Sequence, residues 1–179
     1  GGALAINGGS VIAKNVTFDG NKAIDADQKV AKVHGGAIYM NGGSYTQTGG
    51  KIVNNTAQNN GGAIRIDNEA NSNATFENVL IEGNHAANGG LLDTFLNKDK
   101  SGKIEVTFKN SSINNNTAGG WGGALRVNTG TVNIEVSKDK SFVYEGNKAG
   151  QDEKEAATIR YEKQGDFMYL QSSAEANFN

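Results

Sequence analysis

The sequence predicts an all-β fold, a right-handed parallel β-helix of about five to six coils. Three observations predict it: a two-part motif recurs along the chain, apolar and polar residues alternate at a spacing of two around each copy, and one turn position admits only Gly or Asn. The first part of the motif reads GGAL, GGAI, GGAI, GGLL and GGAL from Gly1, Gly35, Gly61, Gly89 and Gly122, with a degenerate sixth copy, AATI, from Ala156. The intervals are 34, 26, 28, 33 and 34 residues. The second part runs Phe18-Asn21-Ala23, Ile52-Asn55-Ala57, Ile81-Asn84-Ala86, Ile113-Asn116-Ala118 and Tyr144-Asn147-Ala149. Periods of this length mark stacked structural units, and nowhere does a helical spacing persist for a dozen residues.

Each unit yields three short strands. Behind the glycine pair, Leu4/Ile6, Ile38/Met40, Ile64/Ile66, Leu92/Thr94, Leu125/Val127 and Ile159/Tyr161 point inward. The residue between each pair points outward, because successive side chains in a strand alternate faces. A more variable middle strand follows at Val11 to Ala13, Tyr45 to Thr48, Ala74 to Glu77, Ile104 to Lys109 and Thr131 to Val136. In the third strand Phe18, Ile52, Ile81, Ile113 and Tyr144 face inward with Val16, Gly50, Val79, Ser111 and Phe142. Two residues on stand Gly20, Asn54, Gly83, Asn115 and Gly146, the two residue types that tolerate a positive φ, so a left-handed corner recurs in every coil. The next column, Asn21, Asn55, Asn84, Asn116 and Asn147, fits a ladder of stacked amides along in-register parallel strands. A propeller has units of similar length, but it requires four antiparallel strands per blade.

Composition agrees. The chain has no Pro, no Cys, 25 Gly and 24 Asn, which suits a turn-rich solenoid and excludes a disulfide scaffold. Thin coils need few inward side chains, so 36% hydrophobic content suffices. Residues 1–179 read as a single β-helix segment of a longer repeat protein. The chain opens on the first residue of a repeat, and Ala176-Asn177-Phe178-Asn179 lines up with Ala74-Thr75-Phe76-Glu77, which leaves the sixth coil without its Asn-x-Ala end.

Alternating GGA[ILV] and FxxN tetrapeptides resemble the repeats of the polymorphic outer membrane proteins, a family of bacterial surface adhesins and autotransporter passengers. GGAL at Gly1 and Gly122, GGAI at Gly35 and Gly61, and Phe18-Asp19-Gly20-Asn21 match outright, while the other FxxN positions carry Ile or Tyr for Phe. The resemblance implies a non-enzymatic passenger segment at the bacterial cell surface, outer membrane-associated or secreted. It implies no cofactor, and partners that are proteins or glycans on a host or neighbouring cell. Membrane attachment would run only through parts not in this chain. Chlamydial members usually carry cysteines, and this chain has none.

Parallel β-helices also host polysaccharide lyases and glycoside hydrolases, so catalytic residues must be sought. Such enzymes need paired carboxylates, or a carboxylate-bound Ca²⁺ with a basic residue, in a groove. The outward position of the first strand reads Ala5, Tyr39, Arg65, Asp93, Arg126 and Arg160, and holds all three arginines of the chain. One reading is a surface ladder of opposite charges, each pair contributing about 0.2–1 kcal/mol. The other is a cationic stripe that grips an acidic glycan or a partner protein. A lone Asp93 lacks the second carboxylate of a hydrolase, which favours the ladder. The adhesin reading predicts shallow polar faces with no buried charge cluster. The enzyme reading predicts at least two carboxylates near Arg65 or Arg126, and a viral fibre would show an apolar outward column.

Other candidates carry less. His34 and His85 stand alone on connecting segments, outside any metal-ligand spacing, and are expected to face solvent. Trp121, the only Trp, either covers the core at a glycine corner or offers a sugar-stacking platform. The glycine runs lack the Lys-Ser/Thr or helix of a phosphate loop. Five Asn-x-Ser/Thr triplets begin at Asn15, Asn54, Asn73, Asn110 and Asn115, as chance allows in so Asn-rich a chain. A net charge of −2 without a long basic block argues against nucleic acid and membrane surfaces as partners. Insertions at Ile24 to His34, Leu96 to Lys103, Ser137 to Ser141 and Gly150 to Glu155 are expected to form surface loops. Two of these, around Lys98-Asp99-Lys100 and Lys138-Asp139-Lys140, could lie side by side as a charged lip or stand as separate solvated tips.

Overall fold

The alternation of inward and outward residues becomes a parallel β-solenoid in the computed structural model, which describes residues 1–25, 33–150, 165–171 and 173–179. The first turn consists of β1 (Leu4–Ile6), β2 (Ser10–Lys14), β3 (Thr17–Asp19) and β4 (Lys22–Ala23). The second consists of β5 (Ile38–Met40), β6 (Gly43–Thr48), β7 (Lys51–Val53) and β8 (Thr56–Ala57). The third holds β9 (Ile64–Asp67), β10 (Ser72–Glu77), β11 (Leu80–Glu82) and β12 (His85–Ala86). The fourth holds β13 (Leu92–Phe95), β14 (Ile104–Lys109), β15 (Ser112–Asn114) and β16 (Thr117–Ala118). After these come β17 (Leu125–Val127), β18 (Gly130–Glu135), β19 (Val143–Glu145), β20 (Met168–Leu170) and β21 (Ala174–Phe178).

Strands one turn apart pair in parallel and form four sheets of six, six, five and four strands. Among the described residues, therefore, four turns are complete in all four sheets, and a fifth and sixth are partial, against the five to six coils expected. The fourth sheet is an addition to the three-strand reading. Its strands are only two residues long, too short for an alternating pattern to reveal them, and lie on the Asn-x-Ala segments. The sixth copy of the first strand also moves. Leu125, Arg126 and Val127 pair with Met168, Tyr169 and Leu170, behind Gly165 at φ 62°. Ala156, Ile159, Arg160 and Tyr161 lie outside the described residues.

Local chemistry explains the motif. From the second pair on, the first glycine adopts a positive φ, of 65°, 65°, 61° and 65° at Gly35, Gly61, Gly89 and Gly122. The second faces the adjacent turn, where a Cβ on Gly62 would collide with the Gly90 carbonyl oxygen and lie 2.6 Å from the His85 amide nitrogen. The expected corner column is left-handed throughout, with φ of 66°, 57°, 67°, 54° and 65° at Gly20, Asn54, Gly83, Asn115 and Gly146. A second such corner between the second and third sheets, at Asn15, Gly49, Asn78 and Asn110, was not anticipated. Four of the five Asn-x-Ser/Thr triplets thus begin at left-handed corners, which gives their asparagines a conformational role.

The core is continuous along the axis. Ile38, Met40, Ile52, Ile64, Ile66, Ile81, Leu92, Ile113 and Leu125 are buried, and the rings of Tyr45, Phe76 and Phe108 form a column with centroids 5.6 and 5.2 Å apart, the first pair tilted and the second stacked. The Tyr45 hydroxyl donates to Gln47 Oε1 at 2.7 Å, and Gln47 Nε2 donates to the carbonyls of Val16 and Gly49 at 3.0 Å each, which makes that interior amide affordable. In the fifth turn Tyr144 pairs in register with buried Ile113 yet is 55% exposed, and among the described residues β19 is the last strand of its sheet.

Candidate functional site

Two polar columns run along the solenoid. The first is the asparagine ladder. Nδ2 of Asn21, Asn55, Asn84 and Asn116 donates to Oδ1 of the next asparagine at 2.8, 2.9, 2.9 and 3.0 Å. The same oxygens accept the backbone N–H of the preceding asparagine at 2.9–3.0 Å. Asn55, Asn84 and Asn116 are completely buried, so the amides replace water for the backbone as well as for one another.

The second column is the outward face of the first sheet. Pairing places Ala5, Tyr39, Arg65, Asp93, Arg126 and Tyr169 in one register. Tyr169 holds the place expected for Arg160. Outward here does not mean exposed: Arg65 is 3% and Asp93 0% accessible. Alternation explains part of the cover, since residues two positions on share the same face: Asp67 follows Arg65, Phe95 follows Asp93, and Asn128 follows Arg126. Asp67 accepts from Arg65 Nε and, at 2.9 Å, from the Tyr39 hydroxyl. Asp93 pairs with Arg65 Nη1, and its other oxygen lies 3.4 Å from Arg126 Nη1 and accepts from Asn128 Nδ2 at 3.3 Å. Phe95 lies over the Arg65 guanidinium with its centroid 4.5 Å away, and Trp121 covers Arg126 at 5.2 Å.

Electrostatics follow from this cover. Burial pushes the Asp93 carboxyl up to about 6, against the pull of Arg65 and Arg126. Burial, followed by the hydrogen bond to Asp67, raises the Tyr39 hydroxyl to about 12. The expectation of an adhesin face without a buried charge cluster is therefore corrected, because side chains two residues on and a corner tryptophan roof the column. A cationic stripe open along its length is corrected with it: the Arg65 guanidinium is committed to Asp67, Asp93 and the Phe95 ring.

The two carboxylates that the enzyme reading requires near Arg65 are present, Asp67 and Asp93, of which Asp93 is inaccessible while Asp67 is partly exposed and accepts from Tyr39 and Arg65. Among the described residues no group of three or more His, Cys, Asp or Glu could hold a metal ion. His85 is exposed, with Nδ1 2.8 Å from Thr117 Oγ1. His34, expected to face solvent, is half-buried and lines a hollow of about 600 Å³ with Tyr39, Asp67 and Asp25. Trp121 is half-buried, with the Arg126 guanidinium 5.2 Å from its ring centroid and the Tyr169 ring stacked at 6.0 Å.

The two Lys-Asp-Lys loops do not form a lip. One lies between β13 and β14, the other between β18 and β19, at different corners of the coil. The first is not a free tip either. Buried Asn68 accepts from the Asn97 amide at 2.7 Å and donates to the carbonyls of Asn97 and Lys100, while Lys100 pairs with Glu69 at 2.9 Å. Of the insertions at Ile24 to His34 and Gly150 to Glu155, residues 26–32 and 151–155 lie outside the described residues.

Comparison with known proteins matches three segments, residues 15–41, 51–67 and 110–128, to the model of the Chlamydia polymorphic membrane protein repeat. Each matched segment runs through the third-sheet strand, the ladder asparagine and the glycine corner into the first-sheet strand. No curated protein and no solved structure matched the chain.

Proposed function

We propose that this chain, which carries repeats of the Chlamydia polymorphic membrane protein family, is a non-enzymatic, surface-displayed adhesin or autotransporter passenger segment. It binds a protein or glycan on another cell. The observation that carries this reading is that the family repeat matches in the register in which the solenoid stacks, so the motif marks the scaffold and leaves the outward columns and inserted loops free to vary. Localisation at the outer membrane or cell surface follows from the same repeat. A rigid rod of parallel coils suits display, because residues far apart in sequence are held at a fixed spacing along one face.

The test is adherence. Beads coated with residues 1–179 are expected to bind cultured epithelial cells saturably, in competition with the soluble segment, and to leave a panel of acidic polysaccharides uncleaved. Cleavage of any of these that disappears in Asp93→Ala would replace this reading with the carbohydrate-active enzyme. Beads that bind no better than albumin-coated ones would end the adhesin reading.

A further inference from the structure

The corner between the first and second sheets holds a groove of about 480 Å³, within the range of about 300–1,000 Å³ usual for ligand pockets. Its lining comes from four consecutive coils. One wall is an outward column of the second sheet, where pairing places Ser10, Ser44, Asn73 and Glu105 in one register. The column crosses β2, β6, β10 and β14 and is therefore about 15 Å long. Glycines open the other side. Gly9 and Gly43 have φ of 79° and 91°, and a Cβ on Gly9 would meet nothing within 4 Å. Ser10, Asn73, Lys103 and Glu105 are exposed, so a ligand can reach the lining from solvent.

The polar groups of this lining are little used by the protein. The Asn73 side-chain amide has no hydrogen-bond partner among the described residues. Lys100 and Lys109 pair with Glu69 at 2.9 Å and Glu77 at 3.5 Å, whereas Lys103 between them pairs with no carboxylate among the described residues. Ser44 Oγ donates to Ser10 Oγ at 2.8 Å, which leaves the Ser10 hydroxyl proton available. Lys103 and Glu105 bring one charge of each sign, so an ionic ligand would be opposed by one of them. The described lining holds no aromatic or large aliphatic side chain, unlike the apolar centre of a protein interface. We propose that this groove binds an uncharged saccharide chain bearing acetamido groups. A free primary amide offers two donors and an acceptor, which match the carbonyl and N–H of an acetamido group. Asn73 takes that group, while Ser10, Ser44 and Lys103 take ring hydroxyls. This inference rests on the adhesin reading and deepens it by naming the ligand class and the face that takes it.

The isotope-labelled segment is titrated with chitotetraose, a chain of N-acetylglucosamine, and in parallel with maltotetraose, which has no acetamido group. Saturable shifts of the Ser44, Asn73 and Lys103 amide resonances and of the Asn73 side-chain amide are expected with the first and not with the second. Asn73→Val and Ser44→Val each lose the polar group in favour of a residue that suits a strand, and should weaken chitotetraose binding about tenfold. Resonances outside the groove check that both variants fold, and Ser44→Val decides if Asn73→Val does not. The proposal is overturned if chitotetraose gives no saturable shift, if maltotetraose binds as well, or if a folded variant binds undiminished. Adherence of coated beads that persists in Asn73→Val would overturn this groove as the adhesive site and leave the adhesin reading standing. Chitotetraose binding by a segment whose beads do not adhere would keep the groove and end the adhesin reading.

Discussion

The asparagine ladder and the charged column are both buried, both polar and both aligned with the solenoid axis, yet they are built in opposite ways. The ladder repeats one neutral residue. Each amide gives and receives, and each also takes up a backbone N–H, so its bonds serve the main chain. The charged column changes residue at every coil, and its members satisfy one another through side chains two residues further along, with two polar atoms left over. A repeated neutral amide extends with every added coil, whereas a charged column is specific to its place. Stability is therefore expected to come from the first as a repeating contribution and from the second as a local one.

Breaking the ladder at its centre should have the largest effect. Asn84→Ala removes two accepted and two donated hydrogen bonds, at 2.9, 2.9, 2.9 and 3.0 Å, at a fully buried position. Urea unfolding is expected to show a loss of about 5 kcal/mol, since each stranded buried group costs about 1–3 kcal/mol. A loss below about 1 kcal/mol would mean that water enters the column and the ladder contributes no more than surface amides.

The charged column should break almost as badly but be repairable. Arg65→Met strands Asp93 and Asp67 and is expected to cost about 4 kcal/mol. Replacing Arg65→Met together with Asp93→Leu and Arg126→Met should recover most of that loss, because these three charges chiefly serve one another, and leave only the cost at the partly exposed Asp67, which keeps the Tyr39 hydroxyl. No apolar set can repair the ladder in this way, since its backbone donors would remain. A triple variant as unstable as the single one would erase the distinction.

A smaller effect sharpens the same contrast through pH. Asp93 has its carboxyl raised from 3.8 to about 6 in the folded chain, so between these values the folded state binds more protons than the unfolded state. Its contribution is present in full below about pH 4 and declines as pH rises through about 6. The stability of the protein relative to Asp93→Asn should accordingly fall by about 3 kcal/mol over that window. Denaturant midpoints measured from pH 4 to 7 give the slope, and an opposite sign would mean that Arg65 and Arg126 outweigh burial. The asparagine ladder, being neutral, should show no such dependence.

Much of the scaffold was legible because its causes are local. Gly20, Asn54, Gly83, Asn115 and Gly146 are recognisable without coordinates, since few residue types accept a positive φ, and the ladder asparagines follow at a fixed offset. The second corner, at Asn15, Gly49, Asn78 and Asn110, carries the same signal and was overlooked because the strands around it vary. In the candidate site, Tyr39, Arg65, Asp93, Arg126 and Trp121 were identified, but not Asp67, Phe95 and Asn128, although the spacing of two that places Arg65 on the outer face places them there as well. Tyr169 was hidden by the misassigned sixth copy.

What the sequence determined by itself was the path of the coil: where strands run, which side chains enter the core, where the chain turns left-handed and which asparagines stack. These depend on alternation and on the conformational latitude of Gly and Asn, which act within a few residues. Only the tertiary structure decided which outward side chains are covered. Asp93 is buried because Arg65 and Arg126 arrive from the coils on either side of it, while Phe95 and Trp121 roof those arginines. Accessibility is a property of neighbours brought together by stacking, and alternation along a single strand carries no record of them.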